Sequence, residues 1–147
     1  MQYFLDTNIL VHLIRRDSIG EYLIRQYGLL IAEPRPLISD VSEGELRSLA
    51  VQWAWGDQKR NQMEFFLSLF WRFTINKQSV FEAYAIIDAY SESLGLSMGK
   101  NDVWIAASSI VTETMLLTTD KDYDHLHPRF LIRDWIDPER DRKQSAN

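Results

Sequence analysis

Short apolar runs alternate along the chain with longer segments in which apolar residues recur at helical spacing. Each run is three or four residues long, as expected for strands that are buried on both faces of a parallel sheet. The runs are residues 3–5, 37–39, 73–75, 115–118 and 130–132. Strands that alternate with helices imply βαβ units. The pattern therefore predicts one α/β domain over residues 1–136, with a central parallel sheet of short strands, and a polar tail over residues 137–147 that is expected to be flexible.

The segments between the runs predict six helices, and their starts are marked by residues that can cap a helix or favour its first turn. The predicted starts are Thr7 or Asn8, Ser18, the stretch from Ser42 to Glu45, Asp57, a position before Val80, and Asn101. The predicted ends carry matching signals, because Arg15 and Arg16 close the first helix and glycines follow the second and fifth.

Aromatic side chains are concentrated in the third and fourth predicted helices and just after them. They are Trp53, Trp55, Phe65, Phe66, Phe70 and Trp71. Two interpretations stay open: a large hydrophobic core, or an exposed surface through which the protein associates with a second copy of itself.

Composition adds limits to this picture. The length of 147 residues suits one domain, and the absence of cysteine excludes disulfides and thiolate metal sites. The net charge is −5, whereas a protein that only coats nucleic acid is usually basic. An acidic chain can still act on nucleic acid if its acids bind metal. We expect a cytoplasmic protein, because the N-terminus lacks the pattern of a signal peptide and no apolar run approaches the ~20 residues that span a membrane.

Four acidic residues occupy positions that a parallel sheet would bring together. Asp6 follows the first run, Asp120 follows the fourth, and Asp102 lies in the first turn of the helix between the third and fourth runs. Glu45 lies at the start of the third helix, where Glu43 competes with it. Ligands of open α/β sheets bind beyond the carboxyl ends of the strands, so we expect these carboxylates to converge there.

Each acid also has a structural interpretation. Asp6 and Asp102 could stabilise helix N-termini, and Glu45, three residues after Ser42, fits a capping box. Acids that follow a strand, such as Asp120, are common in turns.

Clustered carboxylates repel one another unless a cation neutralises them. Oxygen ligands without cysteine favour Mg²⁺ or Mn²⁺. The fourth acidic position is crowded, because Asp122 and Asp124 flank the same segment as Asp120. The identity of the fourth ligand stays open among these three residues.

Four short motifs occur in order along nearly the whole chain: residues 4–8 (Phe-Leu-Asp-Thr-Asn), 44–46 (Gly-Glu-Leu), 101–107 (Asn-Asp-Val-Trp-Ile-Ala-Ala) and 117–123 (Leu-Thr-Thr-Asp-Lys-Asp-Tyr). At these residues the sequence resembles the PIN-domain ribonucleases, particularly the VapC-type toxins of bacterial toxin–antitoxin pairs. The resemblance implies a PIN-like α/β/α sandwich around a parallel sheet. It also implies an endoribonuclease that depends on Mg²⁺ or Mn²⁺ and hydrolyses RNA phosphodiesters with metal-activated water.

By matching positions, the resemblance assigns roles to individual residues. The metal-binding acids would be Asp6, Glu45, Asp102 and Asp120, and the groups that orient them would be Thr7 or Asn8, and Thr118. Candidate contacts to the RNA backbone, each of which could equally be a solvated surface charge, are Arg15, Arg16, Arg47, Lys100 and Lys121. A short single-stranded or loop region is the expected target.

The resemblance also implies partners. Proteins of this kind commonly bind an antitoxin whose tail occupies the active-site groove, and they commonly form homodimers. Two alternatives stay open: a catalytically silent interaction module with the same fold, and a metal-dependent nuclease or phosphatase with another substrate.

Overall fold

In residues 1–140, the part of the chain that this computed structural model describes, a sheet of five parallel strands lies between two layers of helices. The strands are β1 (Tyr3–Leu5), β2 (Leu37–Ser39), β3 (Trp71–Phe73), β4 (Met115–Thr118) and β5 (Ile132–Trp135). The helices are α1 (Thr7–Arg15), α2 (Ser18–Tyr27), α3 (Asp40–Gln52), α4 (Asp57–Leu69), α5 (Gln78–Ser93) and α6 (Lys100–Thr112), with a 3₁₀ segment over Lys121–Leu126. The predicted α/β sandwich with a parallel sheet is confirmed.

The strand order, β3-β2-β1-β4-β5, reverses direction at β1. The chain builds outward from β1 to β2 and β3, and then returns to place β4 on the other side of β1. The loops that leave β1 and β4 therefore diverge, and the crevice that opens between them is the usual ligand position of such sheets. Asp6 directly follows β1, and its backbone N–H donates to the carbonyl of Leu117 in β4 at 3.1 Å. The carboxylate of Asp6 thus starts at the mouth of this crevice.

Alternating residues of each central strand enter two separate cores. Leu5 and Leu117 face the layer formed by α1 to α4, whereas Phe4 and Leu116 face the layer that contains α5 and α6. All four side chains are fully buried. Both faces of the central strands are covered, which explains why the sequence shows continuous apolar runs there instead of alternation.

The two edge strands lie where the sequence analysis did not place them. β3 is 71–73 instead of 73–75, and β5 is 132–135 instead of 130–132. Edge strands are half-covered and tolerate charge, so their apolar pattern is broken. Arg72 in β3 pairs with Glu43 at 2.5 Å, and Arg133 in β5 pairs with Asp124 at 3.1 Å. A search for short apolar runs misses strands of this composition.

Three predicted helix starts are also displaced. α2 is capped by Asp17, whose Oδ1 accepts the N–H of Gly20, and Ser18 is the first helical residue. α3 begins at Asp40 and is capped by Ser39, so the predicted start at Ser42 to Glu45 lies inside the helix. α6 begins at Lys100 after Gly99, which places the predicted cap Asn101 in its first turn.

The six clustered aromatic residues divide equally between core and surface. Trp55, Phe66 and Phe70 are buried, while Trp53, Phe65 and Trp71 are each about half exposed. The large-core interpretation thus holds for half of the set, and self-association through the other half stays a prediction.

The predicted polar tail begins after the buried Ile136. The guanidinium of Arg140 lies over the ring of Tyr22, 3.5 Å from its centroid, and residues 141–147 lie outside the described part of the chain. Within the described part, no helix has the length and apolar character needed to cross a membrane.

Candidate active site

A groove of about 600 Å³ opens at the carboxyl edge of the sheet. Asp6, Glu45 and Asp102 line it, although Asp6 follows β1, Glu45 lies inside α3 and Asp102 lies in the first turn of α6. Asp120 follows β4 and lies next to Asp102. The structure therefore brings all four predicted acids to the same edge of the sheet. Thr7 and Asn8 line the groove as well.

Asp6 is both a helix cap and a buried acid of the groove. Its Oδ1 accepts the backbone N–H of Thr7 at 2.8 Å, which caps α1, and its Oδ2 accepts the hydroxyl of Thr118 at 2.7 Å. The side chain is only 3% exposed. Capping and a role in the groove are thus not alternatives for this residue, because the cap fixes the direction in which the carboxylate points.

The hydroxyl of Tyr123 ties two of the acids together. It lies 3.3 Å from Oδ1 of Asp6 and 3.1 Å from Oδ1 of Asp102. A phenol has one hydrogen to donate, and both distances exceed the ~2.7–2.8 Å typical of O–H···O bonds, so the hydrogen is shared between two acceptors. The sequence analysis gave Tyr123 no role, because a tyrosine in a 3₁₀ segment looks like an ordinary core residue. Its complete burial beside acids is visible only in the fold.

A relay of hydroxyl groups holds Glu45. Thr7 Oγ1 donates to Oε1 of Glu45 at 2.7 Å. Because that uses the one hydrogen of the Thr7 hydroxyl, the hydroxyl of Ser42, 2.8 Å away, donates to Thr7. The capping-box interpretation of Ser42 and Glu45 is wrong, because both residues lie inside α3 and Ser39 is the cap.

Glu43, the competitor of Glu45, is neutralised elsewhere. Its carboxylate pairs with Arg47 at 2.9 Å and with Arg72 at 2.5 Å. These contacts hold its pKa below the usual value. Glu45 therefore has the geometry of a groove ligand, and Glu43 does not.

The acids that follow β4 separate into two groups. Carboxylate oxygens of Asp102, Asp120 and Asp122 all lie within 4.8 Å of one another. Asp120 also caps the 3₁₀ segment by accepting the N–H of Asp122 at 2.9 Å. Asp124 is turned away and pairs with Arg133 at 3.1 Å. Asp120 and Asp122 thus both lie beside Asp102, whereas Asp124 contacts Arg133 of β5.

Three of these acids resist ionisation: the pKa of the more exposed Asp122 is raised by burial and by the charge of Asp120, and those of Asp6 and Asp102 are raised further. Burial raises the pKa of Asp6 from 3.8 to about 7, with the charges of Asp102 and Asp120 adding to the effect and the hydrogen bond from Thr118 opposing it. Burial likewise raises the pKa of Asp102 from 3.8 to about 6, and the hydrogen bond from Tyr123 opposes the rise. Burial and like charge both disfavour the carboxylate form, and a nearby cation would relieve both.

The described residues supply no such cation. Among residues 1–140, no lysine or arginine forms an ion pair with Asp6, Glu45, Asp102, Asp120 or Asp122. Packed oxygen donors without nitrogen or sulfur ligands suit a hard divalent cation such as Mg²⁺ or Mn²⁺. Among the described residues, the carboxylate oxygens of Asp102, Asp120 and Asp122 lie close enough together to hold such an ion, whereas Asp6 and Glu45 are not part of that group.

The five cations predicted to contact RNA have different surroundings. Arg47 is held by Glu43 and Glu64, Lys100 lies 3.4 Å from Asp88, and Lys121 lies over the ring of Trp135. Arg15 and Arg16 form no ion pair among the described residues. Both are exposed at the C-terminal end of α1.

Replacement of Tyr123 by Phe is expected to destabilise the metal-free protein. The change keeps the buried ring but removes a hydrogen bond to charged groups, which typically contributes about 1.5–3 kcal/mol. Thermal melting in EDTA measures the loss. Tyr84→Phe is the control, because the ring of Tyr84 packs on Trp104 at 4.2 Å and its hydroxyl has no partner among the described residues. Equal melting temperatures for Tyr123→Phe and the wild type would contradict the bridging role.

Comparisons with known proteins agree with this fold. The family model described as PIN domain matches residues 3–127. A similar chain occurs in the solved structure of VapBC2 from Rickettsia felis bound to a DNA fragment from the promoter. It has 24% identity and a TM-score of 0.77, and the match covers 93% of this chain and 100% of that one. A chain of VapBC-1 from nontypeable Haemophilus influenzae has 20% identity and a TM-score of 0.74, and the match covers 92% of this chain and 98% of that one. A chain of VapBC-5 from Mycobacterium tuberculosis, a member of the VapBC family of toxin–antitoxin systems, has 20% identity and a TM-score of 0.67. That match covers 92% of this chain and 98% of the other. No curated protein matches the chain.

Proposed function

The chain belongs to the PIN domain family, and from that membership and the geometry of the acidic groove we propose that it is a divalent-metal-dependent endoribonuclease. The proposal includes a biological role as the toxin of a toxin–antitoxin pair. The fold that the chain shares with components of VapBC complexes supports that role.

One observation carries the catalytic part of the proposal. Acids that follow β1 or lie in α3 and α6 line one groove, Asp120 after β4 lies beside one of them, and no lysine or arginine that forms an ion pair within residues 1–140 contacts any of the four. A purely structural cluster would be expected to contain its own counter-charge, because uncompensated buried charge is costly. The free-energy cost of ionising these carboxylates is small only if a cation from solution binds among them.

In the proposed site, Asp6, Glu45, Asp102 and Asp120 hold Mg²⁺ or Mn²⁺, with Asp122 in reach of the same position. The bound cation supplies Lewis acidity, which lowers the pKa of water and shields the negative charge of a phosphate. The protein contributes orientation. Thr118 and the N–H of Thr7 fix the two oxygens of Asp6.

Glu45 is oriented in the same way by the hydroxyl of Thr7. Hydrogen bonds of this kind raise metal affinity by holding the ligand carboxylates in place before the cation arrives. Asn8 lines the groove and offers an amide to the substrate.

The proposed partners follow from the same comparisons. A protein antitoxin would cover the groove and a second copy of the chain would form a homodimer, as the VapBC-type resemblance implies. The proposed substrate is RNA, with a single-stranded or loop segment at the groove, because an unpaired backbone can bend toward a recessed metal.

Cleavage assays on matched substrates test the proposal. The purified protein is incubated with a stem–loop RNA and with DNA of the same sequence, in Mg²⁺, in Mn²⁺ and in EDTA. We expect cleavage of the RNA loop with either metal and none in EDTA. Metal-dependent cleavage of DNA alone would assign the site to another substrate, and binding without cleavage of either would indicate a silent interaction module.

A further inference from the structure

A half-exposed tryptophan forms part of the wall of the acidic groove. Trp53, which follows α3, lines the groove together with Glu45 and Asp102 and is 48% exposed. Its neighbour Trp55 is only 6% exposed. The chain therefore buries one indole of this turn in the core and leaves the other at the mouth of the groove, although large aromatic side chains gain most from burial.

The turn that carries Trp53 is fixed in place. The N–H of Trp53 donates to Leu49 at 2.8 Å, and the N–H of Trp55 donates to Ala50 at 3.0 Å. Arg60 fastens the turn from outside, because its guanidinium donates to the carbonyl oxygens of Trp55 at 2.9 Å and Ala50 at 3.3 Å. The backbone that carries the indole of Trp53 is therefore fixed before any ligand binds.

A basic pocket is connected to Trp53 through Arg15. The guanidinium of Arg15 lies over the Trp53 ring, 4.9 Å from its centroid. Arg15 also lines a neighbouring pocket of about 220 Å³ together with Arg16 and Lys59. None of these three cations forms an ion pair within residues 1–140, so each is available to an external anion.

We propose that Trp53 is a base-stacking subsite for RNA, and that Arg15, Arg16 and Lys59 bind the backbone phosphate beyond that base. The inference rests on the proposed function and extends it to the way in which substrate is held. Acids and indole line one groove, and Arg15 contacts the indole and also lines the basic pocket. This order suits a scissile phosphate, the adjacent nucleobase and the next phosphate. An exposed aromatic ring beside a basic groove is the usual arrangement for binding single strands.

The proposal determines whether the nucleotide at this subsite is paired or unpaired. A base can stack on an indole only when it has left its own helix, so the nucleotide next to the cleaved bond must be unpaired. Stacking tolerates every base because each has a π-face. Trp53 should therefore favour unpaired nucleotides over paired ones without strong preference among the four bases.

Steady-state cleavage of a single-stranded RNA of about twelve nucleotides in Mn²⁺ tests the subsite. We expect Trp53→Ala to raise KM about 10- to 100-fold with a smaller effect on kcat, and Trp53→Phe to recover most of the loss. Trp71→Ala is the matched control: Trp71 is 50% exposed but lies on edge strand β3 and does not line the groove. It should change KM less than about twofold.

A second substrate identifies the contact directly. Removing the nucleobase next to the scissile bond should weaken binding to the wild type and should have little further effect on Trp53→Ala. Mutating Arg15, Arg16 and Lys59 to Ala should lower the dependence of binding on salt concentration, because fewer counterions are released.

The outcomes separate this inference from the proposed function. If the wild type does not cleave RNA in Mn²⁺, the proposed function fails. If the wild type cleaves and Trp53→Ala has an unchanged KM, the function stands and the subsite is overturned. Unchanged RNA kinetics with weakened binding of a co-expressed antitoxin would assign Trp53 to a protein interface and would also overturn the subsite.

Discussion

Replacing Asp102 by asparagine is expected to abolish RNA cleavage and to leave the metal-free protein at least as stable as the wild type. Asparagine is nearly isosteric and can still accept the hydrogen bond from Tyr123, but it carries no charge for a cation. We expect activity to fall at least about 1000-fold, which corresponds to about 4 kcal/mol of lost transition-state stabilisation. Cleavage of the loop RNA in Mn²⁺ measures this loss.

The expected stability follows from comparing two opposing effects. An acid in the first turn of a helix gains about 0.3–1 kcal/mol from the helix dipole. Against that, a pKa raised from 3.8 to about 6 corresponds to at most about 3 kcal/mol against the ionised form, and solvent screening of this partly exposed group reduces that figure. Burial and repulsion outweigh the dipole at Asp102, so removing the charge should not weaken the metal-free fold. If Asp102 only stabilised the start of α6, the substitution would lower the melting temperature in EDTA.

Asp124→Asn is the matched control for this prediction. It makes the same chemical change at an acid of the 3₁₀ segment whose carboxylate pairs with Arg133 and is not in the group around Asp102. We expect it to keep cleavage activity. Expression of the wild type and of the Asp124 variant should slow bacterial growth, and expression of a folded Asp102 variant should not. Full toxicity of the Asp102 variant would refute the assignment.

The sequence allowed the central part of the fold to be predicted, because burial on both faces leaves a direct signal. β1, β2 and β4 were predicted with the bounds that they have in the structure. Once these strands are parallel, the residues that follow them must share one edge, which is why Asp6 and Asp120 could be placed together before any coordinates. The prediction depended on topology and needed no side-chain detail.

The sequence could not reveal features that depend on three-dimensional proximity. Tyr123 and Ser42 contact the acids or their partners across large sequence separations, and nothing local distinguishes them from core residues. Trp53 belongs to the aromatic cluster for which the sequence left both a core and a surface position open, and only the structure shows that α3 ends before it and that the indole lines the groove. The choice between Asp120 and Asp122 also stays open, because a tight 3₁₀ turn brings both beside Asp102.

The metal-free protein is expected to lose stability as the pH rises from about 4 to about 7. The folded-state pKa of Asp6 is raised to about 7 and that of Asp102 to about 6, against 3.8 for an ordinary aspartate. Between these values the folded protein holds protons that the unfolded chain has released, so the free energy of unfolding decreases with pH. For Asp6 alone the change is as much as about 4 kcal/mol at 1.36 kcal/mol per pKa unit. The two acids share the hydroxyl of Tyr123, so they titrate as one cluster.

This direction is opposite to that of an acid stabilised by a cation. Glu43, whose pKa is lowered by the hydrogen bonds from Arg47 and Arg72, contributes stability that is lost only as the pH falls below the usual range of a glutamate. Its contribution is constant above about pH 5, because the carboxyl is ionised there in both states. Burial lowers the pKa of His125, which makes stability rise with pH in the same range. A net loss of stability between pH 5 and 7 therefore reports on the buried acids of the groove.

Melting curves at a series of pH values, in EDTA and in Mn²⁺, test the prediction. A cation at about 100 times its dissociation constant adds about 2.7 kcal/mol, which for a domain of this size raises the melting temperature by roughly 8–10 °C. The shift should be small at pH 5, where the cation competes with protons, and should reach its full size near pH 7.5. Asp6→Asn preserves an acceptor for the N–H of Thr7 but has no proton to lose. It should flatten the pH dependence in EDTA and reduce the metal-induced shift together. A variant that removed one effect and kept the other in full would show that the acid responsible for the pH dependence does not bind the cation.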